Sequence, residues 1–485
     1  KWRVLNFKDY LVSPLLISLG FLPYLYILLA TRHSPLMNWE NPQTLKGLFH
    51  LITRAAYGTF QLTRLGQKVS FLPQIYGIVK ILSKNFTYLG LTLALVGLIS
   101  VFKLNRKIFY YSLFMLILIG FVFPLNSGIL IYHLKYIHIL ERFQIITSVF
   151  VGLLLGFGIL KVKKMLLSKK QPRTKKLGLL FLGAIPLVIL GLNFNQVNQK
   201  DNYFGEYLAE DFLSTIPPNS ILITEGDAVI NSLFYYQYAL GKRNDVACIL
   251  SSLLLSRTPW YLDEIKFYYP DIILPDANFN PQQYLIHFLE LNSGHKNIFF
   301  YTPSLFKEEF SLLLPKKAKG LVWQYIQAGE NIESNEEIEA QLINAYKNYK
   351  NLVRTKRFPM NWPEATFLNI YADPYLYLAE INKQDFKKAE QYYQEALKIA
   401  PDYFWARYLL GEFYLAHNQL GKAIETWEEY CHNNPDRDRV LETRKEINKL
   451  KHFLPNYRSL FDLKNLLEDY STSSAGNCCS DNEGQ

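Results

Sequence analysis

Acidic residues are scarce in the first part of the sequence. Residues 1–195 contain 3 of the 42 Asp and Glu residues but 23 of the 52 Lys and Arg residues. The net charge of +10 is therefore the sum of +20 (23 − 3) for residues 1–195 and −10 (29 − 39) for residues 196–485. Because the basic residues lie between long apolar runs, membrane topology explains them and no nucleic-acid partner is predicted.

Cysteine is also scarce, which excludes the usual cysteine-based sites. The sequence has 4 cysteines, Cys248, Cys431, Cys478 and Cys479, and their spacing gives neither a metal site nor a disulfide framework. A G-x-G-x-x-G nucleotide fingerprint is absent as well. We therefore predict no metal and no nucleotide cofactor, and we expect the small polar tail to be disordered.

Long apolar runs without charge dominate residues 1–195. A helix needs about 20 apolar residues to cross a bilayer, and five segments are in that range. They are Leu11–Ala30, Phe86–Phe102, Ile108–Ile131, Phe143–Leu160 and Leu177–Asn195. The sequence therefore predicts an integral membrane protein with five transmembrane helices, surrounded by membrane lipid.

The basic residues predict the orientation of these helices. Lys161–Lys176 contains eight Lys and Arg residues and no acid, and Lys103–Lys107 contains three basic residues. Such loops are typically cytoplasmic. The N-terminus is then cytoplasmic, and Thr31–Asn85, Asn126–Arg142 and everything after Asn195 are extracytoplasmic.

The first outer loop contains a helical pattern. In NPQTLKGLFHLITRAAYG, residues 41–58, the apolar residues repeat at helical spacing, Asn41 can cap the helix and Pro42 suits its first turn. Two interpretations are open: a helix on the outer membrane surface, or a helix packed on a soluble domain.

Strand and helix patterns alternate after residue 195 and predict a small parallel α/β sheet. Predicted strands are Ser220–Thr224, Asp245–Leu250, Asn297–Thr302 and Gly320–Ile326, and predicted helices are Asp201–Thr215, Ala228–Leu240 and Pro259–Tyr268.

Two later segments repeat with a period of 34: Ala389, Tyr393, Ala396 and Pro401 recur as Ala423, Trp427, Tyr430 and Pro435. This period is typical of tetratricopeptide repeats. We expect flanking helices at Asn335–Lys350 and Asp436–Leu450. The repeats could hold a protein partner, or they could be a structural cap on the α/β domain.

The predicted fold is thus a polytopic α-helical membrane bundle followed by an α/β soluble domain and an α-helical repeat module. The predicted domains are a membrane domain at 1–195, an extracytoplasmic α/β domain at 196–330, tetratricopeptide-like repeats at 331–460 and a disordered tail at 461–485.

Four segments occur together in an order that resembles one family. They are TRHSPLMNWENPQTLKGLFHLITRAAYG, ERFQIITSVFVGLLLG, NSILITEGDAVINSLFYYQYALGKRNDV and TPWYLDEI. In this order and architecture the chain is similar to the multi-spanning membrane family related to the animal transmembrane protein O-mannosyltransferase, in the glycosyltransferase C superfamily. The resemblance covers roughly residues 5–270, and the repeats extend it.

The resemblance implies that a sugar is transferred from a polyprenyl phosphate donor to an acceptor on the extracytoplasmic side. It also implies a catalytic carboxylate in the first outer loop of the bundle. The chain opens at Lys1 without Met, and its first outer loop matches a later loop of the family. We therefore expect the chain to be the C-terminal part of such an enzyme, with the catalytic base before Lys1. A membrane-anchored tetratricopeptide scaffold without enzymatic activity is the alternative.

Basic residues near the outer membrane side are candidates for binding the donor phosphate. They are Arg142, with Glu141 beside it, and His133, Lys135, Arg32 and Arg54. A guanidinium group matches phosphate geometry. Alternatively, Glu141 and Arg142 anchor the start of a helix at the interface, and the neighbouring cations extend to the interface.

Four residues are candidates for contacting the sugar or acceptor. Trp39, next to Asn38, could stack on a sugar or belong to the interfacial aromatic belt. Glu225 and Asp227 follow a predicted strand, where α/β sheets bind ligands. Alternatively, Gly226 provides a turn and Asp227 caps the next helix.

Overall fold

The computed structural model describes residues 7–33, 35, 38–55, 71–126, 134–168, 172–276, 278–301, 316–326, 334–354, 362–433 and 440–453. The described residues form two compact units. One unit contains those of 1–49, 202–433 and 443–485, and the other contains those of 50–201 and 434–442. The predicted tail at 461–485 lies outside the described residues. The domain boundaries proposed from the sequence stay predictions.

Within the described residues, five helical segments are long and apolar enough to cross a membrane, which confirms the number predicted. Their apolar stretches are Pro14–Thr31, Gln74–Leu104, Arg106–Leu125, Glu141–Leu167 and Lys176–Phe194. The helices of this part of the chain are α1 (Phe7–Gly20), α2 (Leu22–Thr31), α3 (Leu45–Ile52), α4 (Phe71–Leu104), α5 (Arg106–Ile117), α6 (Phe123–Asn126), α7 (Leu134–Leu167) and α8 (Pro172–Val197). A π-helical segment, Leu118–Val122, joins α5 to α6. Which ends face the cytoplasm stays a prediction.

Two glycines allow α4 and α7 to pack closely. A Cβ atom on Gly97 would lie 1.8 Å from the Leu154 carbonyl oxygen, and one on Gly158 would lie 1.9 Å from the Leu93 carbonyl oxygen. Only residues without a side chain fit there. Small residues at helix contacts are typical of membrane bundles, where association depends on close packing.

Helix α4 begins earlier than its predicted span. Residues 71–85, which the sequence assigned to the outer loop, are helical, and a break at Thr87 (φ 62, ψ 162) separates them from the rest of α4. The predicted span therefore starts too late, and the side of the membrane on which residues 71–85 lie stays a prediction. Lys80 and Lys84 end the charge-free run, but they do not disfavour a helix.

The helix predicted in the outer loop is present as α3, but its predicted cap was wrong. Thr44 Oγ1 accepts a hydrogen bond from the Gly47 N–H at 3.1 Å. Asn41 instead has φ +41 and lies in the turn before the helix. Leu48 is buried, whereas Leu45 and Phe49 are exposed.

The soluble region contains a mixed five-stranded sheet. The strands are β1 (Ile221–Thr224), β2 (Ala247–Leu250), β3 (Ile298–Tyr301), β4 (Lys316–Lys319) and β5 (Val322–Tyr325), in the order β2-β1-β3-β5-β4. The first three are parallel and buried, but β5 pairs antiparallel with both β3 and β4. The prediction of a wholly parallel sheet was therefore wrong. Gly320, with φ +65, allows a two-residue hairpin between β4 and β5, so no crossover helix is needed.

Helices surround this sheet and continue into the repeats. They are α9 (Phe204–Leu213), α10 (Asp227–Phe234), α11 (Ser251–Leu255), α12 (Pro259–Tyr268), α13 (Pro281–Ser293), α14 (Asn335–Asn348), α15 (Lys350–Arg354), α16 (Trp362–Ile381), α17 (Phe386–Ile399), α18 (Phe404–Ala416), α19 (Leu420–Asn433) and α20 (Val440–Phe453). A π-helical segment, Tyr235–Ala239, follows α10. One hydrophobic core extends from Phe204 to Ala423, so the sheet and the repeats pack as one body.

A buried carboxylate, Asp211 of α9, connects the α/β region to the helices after it. It accepts hydrogen bonds from the backbone N–H groups of Lys350 and Asn351, at 2.9 and 3.3 Å, and from the Tyr371 hydroxyl at 2.8 Å. These partners belong to α15 and α16, so the helices before the repeats are fixed to α9.

A second buried carboxylate, Asp373 of α16, accepts hydrogen bonds from the hydroxyls of Tyr301, at the end of β3, and Tyr403, at the start of α18. Asp373 therefore joins the sheet to the repeats. This contact agrees with the interpretation of the repeats as a structural cap.

Candidate functional site

The loop after the first span contacts helix α12, although the two are far apart in sequence. The Asn38 backbone N–H donates to Glu264 Oε1 at 3.0 Å across 226 positions. The rings of Trp39 and Trp260 lie 5.3 Å apart between centroids, at 52°. Asn38 Nδ2 donates to Asn41 Oδ1 at 2.8 Å and holds the loop in shape. Two of the segments that carry the family resemblance thus meet here.

Glu264 is the acidic group of this contact. Burial raises its pKa to about 7, and the hydrogen bond from the Asn38 N–H opposes this rise only in part. Trp39 is 41% exposed, so its ring is accessible to solvent. The backbone of the adjacent Asn38 is fixed by its hydrogen bond to Glu264. The arrangement presents indole rings beside a carboxyl group that can change protonation near neutral pH. Sequence analysis identified Asn38 and Trp39 but missed Trp260 and Glu264.

Among the candidates for binding the donor phosphate, Glu141 forms an ion pair, but its partner was not one of the candidates. Glu141 pairs with Lys84, a residue that sequence analysis did not select, at 3.3 Å between Nζ and Oε1. Helix α7 begins at Leu134, so Glu141 lies almost two turns inside it. The helix-dipole explanation for Glu141 is therefore wrong, because the dipole acts in the first turn. Arg142 is exposed.

Further polar residues follow Glu141 along α7. Gln144 and Thr147 follow at helical spacing on α7 and are both 1% exposed. Gln144 Nε2 donates to the carbonyl of Gly120, in the π-helical segment, at 3.4 Å. Gln144 Oε1 and Thr147 Oγ1 have no hydrogen-bond partner among the described residues. Buried polar groups within a membrane-spanning helix are costly, and sequence analysis did not select these two.

The remaining basic candidates lie on other segments of the chain. Arg32 follows α2 and is exposed, and Arg54 lies just after α3 with φ +53. Lys135 lies on α7, but its side chain is outside the described part of the structure, and His133 is outside it altogether. Within the described residues, no group of three or more His, Cys, Asp or Glu could hold a metal ion.

The turn Glu225–Asp227 follows β1, as predicted. Gly226 provides the turn with φ +92, but it is also the N-cap residue, because α10 already begins at Asp227. The prediction that Asp227 caps the helix was therefore wrong; Asp227 is the exposed first helical residue. The Glu225 N–H donates to the Tyr301 carbonyl at 3.1 Å and extends the β1–β3 pairing.

This turn lies where a doubly wound sheet would bind its ligand. After β1 the chain continues to β2, which lies on one side of β1, and then to β3, which lies on the other side. The carboxyl ends of β1 and β3 therefore form a topological switch point. The Tyr301 hydroxyl, at the end of β3, is bound by the buried Asp373. The repeat helices thus cover part of this position, which favours a structural role for the turn.

Comparison with known proteins identifies two matching domains. The TMEM260-associated domain 2 matches residues 206–398, and the tetratricopeptide repeat matches residues 381–446. The second match confirms the predicted repeats. No solved structure matches the chain.

Two curated relatives match the chain over more than half of its length. The chain is 27% identical over 315 residues to Protein O-mannosyl-transferase TMEM260 of Mus musculus, covering 60% of this chain and 44% of that protein. It is 24% identical over 443 residues to Protein O-mannosyl-transferase tmem260 of Dictyostelium discoideum, covering 81% of this chain and 53% of that protein. The chain spans about half the length of the curated relatives it matches. It is a membrane protein homologous to the TMEM260 protein O-mannosyltransferases.

Proposed function

We propose that this chain takes part in glycosyl transfer at a membrane, in which a sugar moves from a polyprenyl phosphate donor to an acceptor hydroxyl on the extracytoplasmic side. Homology supports a glycosyltransferase-like role. The donor class rests on the family resemblance, and the side rests on the basic loops. Because both relatives are named for O-mannosyl transfer, mannose is the first sugar to test.

The contact between the outer loop and α12 is the observation that carries this proposal. Trp39 and Trp260 form an aromatic surface, and Glu264 fixes the loop that presents Trp39. Aromatic rings of this type pack well against the C–H face of a sugar, which is apolar. We assign the two indoles to sugar or acceptor binding and Glu264 to positioning, since its Oε1 holds the Asn38 N–H.

The reaction would form one bond and break one bond at the sugar. The acceptor oxygen bonds to the anomeric carbon, and the bond from that carbon to the phosphate oxygen breaks. The phosphate oxygen keeps the electron pair, and the acceptor proton passes to a base. Cations near the donor phosphate would stabilise the leaving group.

The proposal is tested in membranes that contain the protein, by following labelled mannose from polyprenyl phosphate mannose into an acceptor protein. We expect Trp39→Ala and Trp260→Ala to lower kcat/KM by roughly tenfold, the factor that corresponds to about 1.4 kcal/mol. Trp405→Ala is the matched control, because Trp405 is also 41% exposed but lies on the repeats. Equal transfer by the wild type and by both tryptophan variants would refute the proposal.

The tetratricopeptide match at residues 381–446 favours a second candidate, a membrane-anchored scaffold that holds a protein partner. This candidate predicts no transfer by the wild type and a partner that copurifies with the protein. It also predicts that Trp405→Ala weakens this copurification, whereas Trp39→Ala leaves it unchanged. The same variants therefore separate the two functions.

A further inference from the structure

An open cleft lies on the surface of the α/β region, between the start of α9 and the exposed face of α10. Its volume is about 310 Å³, near the lower end of the roughly 300–1,000 Å³ found for small-molecule sites. The cleft lies apart from the contact between Trp39 and Trp260, since neither tryptophan lines it. A cleft of this volume fits a single sugar unit better than it fits a long ligand.

Two tyrosines supply the aromatic surface of the cleft. Tyr203 precedes α9 and Tyr235 follows α10, and they are 48% and 51% exposed. Tyr235 is also the first residue of the π-helical segment Tyr235–Ala239. Short π-helical segments are rare and are frequently found at functional sites. An exposed tyrosine offers a ring face for stacking and a hydroxyl for hydrogen bonding.

Polar side chains line the cleft on the same face of α10. Asn231 lies one turn before Tyr235. Both are exposed. An amide both donates and accepts hydrogen bonds, as sugar hydroxyls do, so Asn231 can bind a hydroxyl in either role.

The cleft carries little net charge. Glu206 is the charged residue among those that line it, and Lys242 neutralises it at 3.2 Å between Nζ and Oε1. None of the described residues that line the cleft is a cation that could bind a phosphate group, and a cationic ligand would compete with Lys242 for Glu206. The charge therefore favours a neutral ligand over the phosphate end of a donor.

Helices α9 and α10 approach each other closely where Gly205 and Ser232 line the cleft. A Cβ atom on Gly205 of α9 would lie 3.2 Å from Ser232 Oγ of α10. The Ser232 hydroxyl itself donates to the Ala228 carbonyl at 2.8 Å. At this point the lining is therefore formed by a residue without a side chain and by a hydroxyl that is already hydrogen-bonded.

We propose that this cleft binds a neutral sugar unit, stacked against Tyr235 or Tyr203 and hydrogen-bonded by Asn231. Aromatic rings cover the apolar C–H face of a sugar, while the amide and the Glu206 carboxylate bind its hydroxyls. The site is distinct from the proposed transfer site and does not depend on it. It would hold a carbohydrate that the protein recognises, such as a glycan on an acceptor.

Binding is tested with the full chain in lipid nanodiscs, by saturation-transfer NMR with methyl α-mannoside and methyl β-glucoside as probes. We expect one of these neutral sugars to bind, and we expect Tyr235→Ala and Asn231→Ala to weaken binding about five- to tenfold. Tyr235→Phe keeps the ring and should retain most of the binding. Phe267→Ala is the matched control, because Phe267 is a 66% exposed aromatic residue outside the cleft.

Three outcomes would overturn the site. The first is that wild-type protein of normal thermal stability binds neither neutral sugar. The second is that Tyr235→Ala and Asn231→Ala leave sugar binding unchanged. The third is that a serine-containing peptide without sugar displaces the bound sugar. Tighter binding of mannose 1-phosphate than of methyl α-mannoside would also contradict the neutral lining. Because the readout is binding, loss of transfer activity alone leaves this proposal intact.

Discussion

Among single residues, Asp373 has the clearest pH dependence. Burial raises its pKa from 3.8 to about 7, although the hydroxyls of Tyr403 and Tyr301 oppose the rise. The folded protein therefore binds this proton more tightly than the unfolded chain does. The stability that this proton contributes is fully present below about pH 4 and is lost as pH rises through about 7.

We therefore expect the melting temperature of the soluble region to fall by several degrees between pH 5 and pH 8. A loss of 1 kcal/mol lowers Tm by about 2–4 °C in a domain of this size. Asp211 acts in the same direction, because burial raises its pKa to about 6. Thermal unfolding across this pH range measures the slope.

Asp373→Asn tests the origin of that slope, because asparagine keeps an acceptor oxygen for the tyrosines but does not titrate. The variant should flatten the fall in Tm, and Glu412→Gln, an exposed site on α18, should not. An unchanged slope in Asp373→Asn would assign the pH dependence to other groups.

Sequence analysis identified Asn38 and Trp39, on one side of the contact between the outer loop and α12, but not Trp260 and Glu264, on the other side. Asn38 and Trp39 belong to a short outer loop next to a membrane span, so their position alone suggested a role. Trp260 and Glu264 lie on an ordinary amphipathic helix, and no local pattern shows that Glu264 will accept a hydrogen bond from 226 positions away. Burial then raises its pKa, and burial is a tertiary property.

Among elements, the α4–α7 contact gives the sharpest prediction. Gly158→Ala places a methyl group where the Leu93 carbonyl oxygen lies, so the two helices must separate. We expect a loss of roughly 1–3 kcal/mol, typical of an overpacked contact, measured as a lower unfolding temperature in detergent.

Gly156→Ala is a matched control one helical half-turn away. A Cβ atom on Gly156 meets nothing within 4 Å, so this variant should unfold at the wild-type temperature or slightly above it. If both variants unfold alike, the close approach at Gly158 does not stabilise the bundle.

Element type was predictable where a period extends over many residues, and strand direction was not. The five apolar spans and the repeats with a period of 34 are long signals. By contrast, β4 has the sequence KKAK, which has no strand-like alternation, and its antiparallel pairing depends on the turn at Gly320. Likewise, the start of α4 was missed because lysines interrupt an apolar run without ending a helix.

At the scale of the whole molecule, the distribution of charge predicts the orientation in the membrane. The eight basic residues of Lys161–Lys176 should face the cytoplasm, and the acidic soluble region should face the other side. Ser168→Cys and Glu412→Cys place single thiols at exposed positions in these two regions. Cys248 and Cys431 are buried, and replacing Cys478 and Cys479 by serine removes the other thiols.

In sealed right-side-out vesicles, a membrane-impermeant maleimide should label the Glu412→Cys protein and spare the Ser168→Cys protein until detergent is added. Short loops rich in Lys and Arg stay on the cytoplasmic side, so Ser168 is protected by the bilayer. The reverse pattern would place the repeats and the cleft in the cytoplasm. Transfer from an extracytoplasmic lipid-linked donor would then be impossible for this unit, whereas a cytoplasmic scaffold would remain compatible with the same fold.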